Sequence, residues 1–372
     1  MLEFALNGRS YSQQQLIDLS AQPVYGNLTP YEQHTLQFCH QWLSGQECFK
    51  IKTSGSTGHP KIITLRREHM VASARLTAQA LDLQQGDRAL VGLSTEYIAG
   101  MMMLVRGFEL GLPLTVIPPQ RNPLGLFSDE TRFDFTALAP IQFLEMFTAT
   151  PGKAAILENM RAVIVGGAPL SEALLEQINT LSVPVYHTYG MTETVSHVAL
   201  KRLNGPSASD YFVPLSGVQL TVDEQSCLTV NAPMTGYKSL STHDRVDLQS
   251  DGSFLWLGRI DNVINTGGIK VQAEKVEQAL ARLLRIYRGG IYKDRRFFVG
   301  PQTHSQFGQQ VAAVIEGEPI SPNEQAVIQD ELLLDSALGN YEIPRSFHFL
   351  PQLLETPTGK IDRLANLRAL AI

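Results

Sequence analysis

At 372 residues the chain is long enough for more than one domain, and 44% hydrophobic with 18% charged residues is the composition of an ordinary globular protein. A net charge of −6 argues against a general nucleic-acid binder, and no apolar run approaches the length needed to span a bilayer. Cys39, Cys48 and Cys227 have neither disulfide nor metal-ligand spacing, and Met1-Leu2-Glu3-Phe4 opens no signal peptide, so the expectation is a cytoplasmic protein with reduced thiols.

The first fifty residues mix short apolar stretches with Gln- and Thr-rich segments and carry no clear chemistry. Ile51 and Lys52 then lead from a strand-like stretch into Thr53-Ser54-Gly55-Ser56-Thr57-Gly58-His59-Pro60-Lys61, and Ile62-Ile63-Thr64-Leu65 follows as another strand. Glycines let the backbone approach an anion closely, successive N–H groups form a cationic concavity, hydroxyls add donors, and Lys61 supplies a point charge. The run suits a polyphosphate, although a flexible Ser/Gly turn is the plainer alternative. It is not the nucleoside-triphosphatase loop, because the fifth residue after Gly55 is Pro60 where that pattern needs glycine. The ordered string resembles the phosphate-binding loop of the adenylate-forming enzymes, the superfamily of acyl- and aryl-CoA synthetases, luciferases and peptide-synthetase adenylation domains.

Residues 68–83 read as a helix with Met70, Ala74, Thr77 and Leu81 on one face. A buried strand at 89–93, a helix at 99–110 and a strand at 114–117 follow, the last closed by Pro118-Pro119. The strand at 162–165 runs into Gly166-Gly167-Ala168-Pro169, and that at 183–186 into His187-Thr188-Tyr189-Gly190-Met191-Thr192-Glu193. Short apolar strands alternating with helices predict an α/β fold with buried parallel strands, whose carboxyl ends are where ligands bind. Tyr189 offers a stacking face there, and Glu193 is a hard oxygen ligand suited to Mg²⁺ beside phosphates. Gly-Gly-Ala-Pro alone is equally a tightly packed turn. Tyr-Gly-Met-Thr-Glu-Thr is a second signature string of the adenylate-forming superfamily. The resemblance implies that Gly167 and Ala168 line adenine, that Tyr189, followed by Gly190, stacks on it, and that Thr192 and Glu193 address phosphate and metal.

Thr242-His243-Asp244, Asp251-Gly252 and Gly258-Arg259-Ile260-Asp261 resemble the next block of the same superfamily at the same spacings, with His243 in place of the usual glycine. By that resemblance Asp244 accepts hydrogen bonds from ribose hydroxyls, Arg259 lies near the nucleotide, and Asp261 is a hinge; Asp247 is close enough in sequence to rival Asp244. The charge balance changes at the same place, since 12 basic and 12 acidic residues follow residue 261 while residues 1–261 hold 18 basic and 24 acidic. Asn265-Thr266-Gly267-Gly268-Ile269-Lys270 reads either as a glycine-rich hairpin turn or, by resemblance, as the loop that enters the site for thioester formation. Glu274 and Glu277 open a helix with Val276, Ala279, Leu280, Leu283 and Leu284 on its core face. Arg282, Arg285, Arg288, Lys293, Arg295 and Arg296 form either a solvated face or a seat for CoA phosphates. Thr356-Pro357-Thr358-Gly359-Lys360-Ile361-Asp362-Arg363 matches the C-terminal motif whose lysine, here Lys360, reaches the carboxylate and the α-phosphate.

The resemblance runs from about residue 50 to 365. It implies a large ATP- and acyl-binding domain, residues 1–260, with mixed and parallel sheets, and a small mobile α+β domain, residues 261–372, that carries Lys360. It also implies an acid–CoA ligase working through an acyl-adenylate, with ATP, Mg²⁺ and CoA as cofactors and a small carboxylic acid as substrate. The compact layout, with Tyr97-Ile98-Ala99-Gly100-Met101-Met102 and Asn122-Pro123-Leu124, looks most like the short bacterial 2-succinylbenzoate–CoA ligases of menaquinone synthesis. A substrate with a second, unactivated carboxylate needs a spare cation or strong donors, for which Arg106 and His197 are candidates, with Tyr97 as a further pocket residue. Arg106 reads equally as a surface helix arginine. Another aryl- or acyl-CoA ligase, a carrier-loading adenylation enzyme and a silent nucleotide-binding protein remain open, as does a homodimer.

Overall fold

The structure, a computed structural model, describes residues 3–18, 28–52, 62–293, 295–356 and 360–372. The expected phosphate loop (Thr53, Ser54, Gly55, Ser56, Thr57, Gly58, Lys61) lies outside the described residues, as do Pro357, Thr358 and Gly359.

The chain begins with a hairpin, β1 (Phe4–Leu6) and β2 (Arg9–Tyr11), and two helices, α1 (Gln13–Ile17) and α2 (Pro30–Leu43). Thr29 starts α2 through a reciprocal cap with Glu32, and Pro30 occupies the first turn, where a missing N–H costs nothing. β3 (Cys48–Lys52) and β4 (Ile62–Arg66) pair as a separate ribbon, with Lys52 opposite Ile62. Then come α3 (Arg67–Leu81), β5 (Ala89–Val91), α4 (Ile98–Leu110), β6 (Leu114–Val116) and β7 (Phe135–Leu138). They are followed by α5 (Pro140–Ala149), α6 (Ala154–Glu158), β8 (Ala162–Val165), α7 (Glu172–Asn179), β9 (Val185–Gly190), β10 (His197–Arg202) and β11 (Val213–Pro214).

These strands form a nine-stranded sheet in the order β11-β10-β9-β8-β7-β5-β6-β1-β2. β1, β6, β5, β7, β8 and β9 run parallel, and the antiparallel strands are confined to its edges. Alternation along the parallel strands feeds two cores. Ala89, Val91, Ala162 and Ile164 pack with α3 and α4 on one face, while Leu90, Val163 and Val165 pack with α5, α6 and α7 on the other. Both faces are covered, which is why the strands read as continuous apolar runs. α4 is buried throughout residues 100–107, so it is a core helix with no solvent face over that stretch.

A second, antiparallel sheet follows: β12 (Gln219–Val222), β13 (Cys227–Asn231), β14 (Leu240–Leu248) and β15 (Phe254–Arg259). One short turn, Ile260–Asn262, leads to the third. There β16 (Val263–Thr266), β17 (Ile269–Gln272), β18 (Phe297–His304) and β19 (Gly308–Glu316) are joined by β20 (Ser346–Leu350), parallel to β19. α8 (Ala273–Ile286), α9 (Pro322–Leu334) and α10 (Arg363–Leu370) complete this part. Its three apolar clusters draw only on residues after 263.

Two expected elements shift. The helix expected at 68–83 ends at Leu81, where Asp82 takes a left-handed φ of 52° as C-cap. The strand expected to stop at Tyr186 continues to Gly190, so Tyr189 and Gly190 belong to β9 itself and not to the loop after it.

Candidate active site

β9 ends in a tight exchange with β10. Gly190 pairs with His197, and a Cβ on Gly190 would lie 2.3 Å from the Ser196 carbonyl oxygen and 2.5 Å from the His197 Cα. No side chain fits there. Thr192 and Glu193 sit in the connecting 3₁₀ turn, Thr192–Thr194, with the Glu193 side chain exposed. Val195 follows with φ 66° and ψ −53°, and the Ser196 N–H donates to the Thr194 carbonyl at 2.7 Å. This is a strained γ-turn on a buried β-branched residue. It turns Ser196 inward, where its hydroxyl accepts from Arg106 Nη2 at 2.9 Å.

Arg106 is 1% exposed. Its remaining close contact is Nη1 to Met103 Sδ at 3.7 Å, its Nε has no partner, and among the described residues no carboxylate pairs with it. Desolvation alone pushes its pKa down to about 10. His197 lies beside it, bounded by Thr77 Oγ1 at 3.1 Å and Ser196 Oγ at 3.4 Å. Burial, then the Arg106 charge, holds His197 well below the usual histidine range, so it is neutral. A buried cation bonded only to neutral groups is an expensive arrangement for a pocket with no anion to receive. Tyr97 stands at the N-cap position of the same helix without a side-chain capping bond, half-buried, about 13 Å along the axis from Arg106.

The second cluster gathers on Asp244, which is 8% exposed and pairs across the sheet with Arg259. The Tyr189 hydroxyl donates to Asp244 Oδ2 at 2.8 Å, and Trp256 Nε1 donates to Oδ1 at 3.2 Å. Burial, reinforced by the Asp244 charge, raises the Tyr189 pKa and keeps that hydroxyl a donor. Asp247 is exposed, away from this cluster. Lys360 lies close enough to feel both charges: burial and Arg259 lower its pKa, while Asp244 opposes them. Arg259 makes its tight pair with Asp261, Nη2 to Oδ2 at 2.6 Å, and is 3.7 Å from Asp244. His243 Nδ1 sits 3.0 Å from both Asp261 oxygens. Burial would raise the Asp261 pKa, but the bonds from His243 and Arg259 outweigh it and hold it low.

The structure thus brings together Tyr189, Asp244, Arg259, Asp261 and Lys360, and, one strand-end away, Thr192, Glu193, Arg106 and His197. Gly167, with φ 88°, and Ala168 follow the adjacent strand β8, with the Ala168 backbone beside His187. Gly267 and Gly268, with φ of 58° and 87°, form the two-residue turn of the β16–β17 hairpin, and Gly267 N bonds to the Phe307 carbonyl at 3.0 Å, outside either cluster. Lys270 is exposed on β17. Among the basic residues after α8 begins, Arg282, Arg285, Arg288 and Arg296 already hold carboxylates. Sequence reasoning missed Trp256, Ser196 and His187, whose buried Nδ1 has no partner among the described residues and whose pKa is pushed down to about 4 by burial and then Lys201. It also missed Gln272 and Glu274, which grip the Arg259 main chain (Gln272 Nε2 to its carbonyl 2.9 Å, its N–H to Glu274 Oε1 3.3 Å). No group of three or more His, Cys, Asp or Glu side chains suited to a metal occurs among the described residues.

Polar clusters at the carboxyl ends of parallel strands, beside a second sheet that supplies a buried aspartate and a C-terminal segment that supplies a desolvated lysine, define an α/β enzyme of small-molecule chemistry. The chain belongs to the AMP-binding enzyme family, whose profile matches residues 22–234. It is similar to the structure of an acyl-CoA synthetase (AMP-forming)/AMP-acid ligase II-like protein from Dyadobacter fermentans, 39% identical, with 97% of this chain and 99% of that one covered at TM-score 0.62. A probable 2-succinylbenzoate–CoA ligase of Mycobacterium tuberculosis is 27% identical over 350 residues, covering 86% of this chain and 84% of that protein. The fold is also that of the o-succinylbenzoate–CoA synthetase of Bacillus subtilis in complex with an acyl-adenylate, 21% identical at TM-score 0.69, with 85% and 68% covered; the same enzyme has been seen with ATP and magnesium.

Proposed function

We propose that this chain is an ATP-dependent, AMP-forming acid–CoA ligase that converts 2-succinylbenzoate to its CoA thioester, the reaction used in menaquinone biosynthesis. The observation that carries the substrate is Arg106: a buried guanidinium that has, among the described residues, no partner for its Nε and no carboxylate of its own, beside the Thr192–Glu193 turn. A second substrate carboxylate completes that pair.

A carboxylate is a poor acylating agent because its leaving group would be oxide. In the first half-reaction a carboxylate oxygen attacks the α-phosphorus of ATP, a P–O bond forms, and pyrophosphate leaves with the electrons of the α–β bridge. Bringing two anions together calls for cations and fixed donors rather than a covalent nucleophile. Lys360 bridges carboxylate and α-phosphate, the Thr192 hydroxyl addresses phosphate, Asp244 accepts from ribose, and Tyr189 lies against adenine near Gly167, Ala168 and Gly190. The run 53–61 holds the departing phosphates. Glu193, exposed and without an ion-pair partner among the described residues, would be the carboxylate that holds Mg²⁺ beside the phosphates, where the ion would supply charge neutralisation. In the second half-reaction the CoA thiol, losing its proton, attacks the acyl carbon and AMP leaves. Between the two, residues 261–372 turn as a unit about Asp261, withdrawing Lys360 and presenting Gly267, Gly268 and Lys270.

The test is pyrophosphate release from ATP with 2-succinylbenzoate, benzoate and a medium-chain fatty acid, each with and without CoA. CoA-dependent turnover confined to 2-succinylbenzoate is expected, and turnover with a different acid alone removes the substrate assignment. Arg106→Met should raise KM for 2-succinylbenzoate at least about 100-fold, since it strands a carboxylate in an apolar pocket. The same variant should gain about 1–3 kcal/mol of stability by removing an uncompensated buried charge. Loss of stability would mean that Arg106 is structural.

A further inference from the structure

β14 and β15 do not pair evenly. The register runs Asp244↔Arg259, Arg245↔Gly258 and then Val246↔Trp256, so Leu257 is an extra residue on β15. In an unbroken ladder Leu257 would oppose Val246, and Trp256 would oppose Asp247, which points to the exposed side. The bulge moves Trp256 to the face shared by Val246 and Asp244. Gly258 permits it: its φ is 133°, and a Cβ there would meet Glu274 Oε2 at 2.4 Å.

On that face the indole N–H reaches Asp244 Oδ1 at 3.2 Å while the Tyr189 hydroxyl reaches Oδ2 at 2.8 Å. Arg259 does not fix the carboxylate, since its close pair is Asp261 at 2.6 Å and Asp244 is 3.7 Å away. Each carboxylate oxygen has two acceptor sites, and among the described residues each takes one hydrogen bond, which leaves one site on each for a ligand. With a donor on both oxygens the group cannot rotate about its Cβ–Cγ bond without losing one of them. Two free acceptors held side by side match a vicinal diol.

We propose that Trp256 is a positioning residue, turned by the bulge at Leu257 to hold Asp244 as a bidentate acceptor for both ribose hydroxyls, and that it thereby sets the preference for a ribonucleotide over its deoxy forms. The inference rests on reading Asp244 as the ribose acceptor. Phenylalanine in its place would keep an aromatic ring on that face but leave Oδ1 without a fixed donor.

The experiment is calorimetric titration of the full chain, without acid substrate, with ATP and with 2′,3′-dideoxy-ATP. Wild type should prefer ATP by tenfold or more, and Trp256→Phe should cut that preference by about five- to tenfold through weaker ATP binding alone, as loss of one hydrogen bond to a charged acceptor predicts. Trp256→His, which restores a ring N–H, should recover part of it. An undiminished preference in Trp256→Phe, or equal weakening of both nucleotides, overturns the proposal and leaves Trp256 a packing residue. No preference in wild type, together with unchanged ATP binding in Asp244→Asn, instead removes the ribose reading on which it stands. Should Trp256→Phe not fold, Trp256→Met carries the same comparison.

Discussion

Lys360 illustrates how one side chain is prepared by its surroundings. Burial and the Arg259 guanidinium lower its pKa, and Asp244 pulls the other way. In the proposed role the ammonium form bridges two anions, so adenylation should be complete below the shifted pKa and lost as pH rises through it. The alkaline limb of the pH–rate profile should therefore fall below the ordinary lysine value of 10.5. Asp244→Asn should move that limb lower still, and Arg259→Met should move it up; a limb that ignores both would place Lys360 away from this cluster. Lys360→Ala should reduce adenylation by about 100- to 1000-fold, the usual effect of losing one charge-stabilising donor. Thioester formation from supplied acyl-adenylate should survive, and equal loss in both half-reactions would remove Lys360 from its proposed role.

At the scale of elements, the site depends on how strands end. β9 runs on to Gly190 and must pass directly under the Ser196–His197 backbone, with 2.3 Å left for any Cβ. Gly190→Ala should therefore cost more than about 2 kcal/mol in urea unfolding at neutral pH, because the obstacle is backbone and cannot swing aside. A variant within 0.5 kcal/mol of wild type, the range of an inert surface change, would mean that the crossing is not this close. The same elements mark the limits of reading the sequence. Apolar periodicity located α3 and α8 because each packs an apolar stripe on a core, whereas α4, buried over 100–107, read as a helix without one. The end of β9 was not legible, since His187, Thr188, Tyr189 and Gly190 read as the loop after the strand and become strand only between β8 and β10. Trp256 was not legible either: its face depends on a bulge, which is a property of two strands in register and not of one segment. Arg106 sits on a helix where arginine normally faces water, and its burial follows from the position of α4 inside the fold. The string 53–61 was the clearest chemical signal in the sequence, and it lies outside the described residues.

At the scale of the whole molecule, the turn Ile260–Asn262 is the covalent link between the second and third sheets, and side chains set how the two parts meet. Arg285, near the end of α8, pairs with Glu176 on α7 and lies 3.9 Å from Glu172 on the same helix. That contact ties residues on either side of the proposed hinge, in the arrangement where Lys360 is near Asp244. It must break if residues 261–372 turn about Asp261. Both partners are partly exposed, so the pair contributes at most about 1 kcal/mol, enough to shift a balance between two arrangements by about fivefold. Arg285→Glu should slow adenylation by about two- to fivefold and speed thioester formation from supplied acyl-adenylate by a similar factor, the opposite signs being what separates a latch from a loss of stability. Glu176→Arg combined with Arg285→Glu should restore both rates. Salt at about 1 M, which shortens the screening length to roughly 3 Å, should shrink the difference between wild type and Arg285→Glu. Half-reactions that slow together, or a difference that salt leaves untouched, would show that the pair holds the fold without biasing the turn.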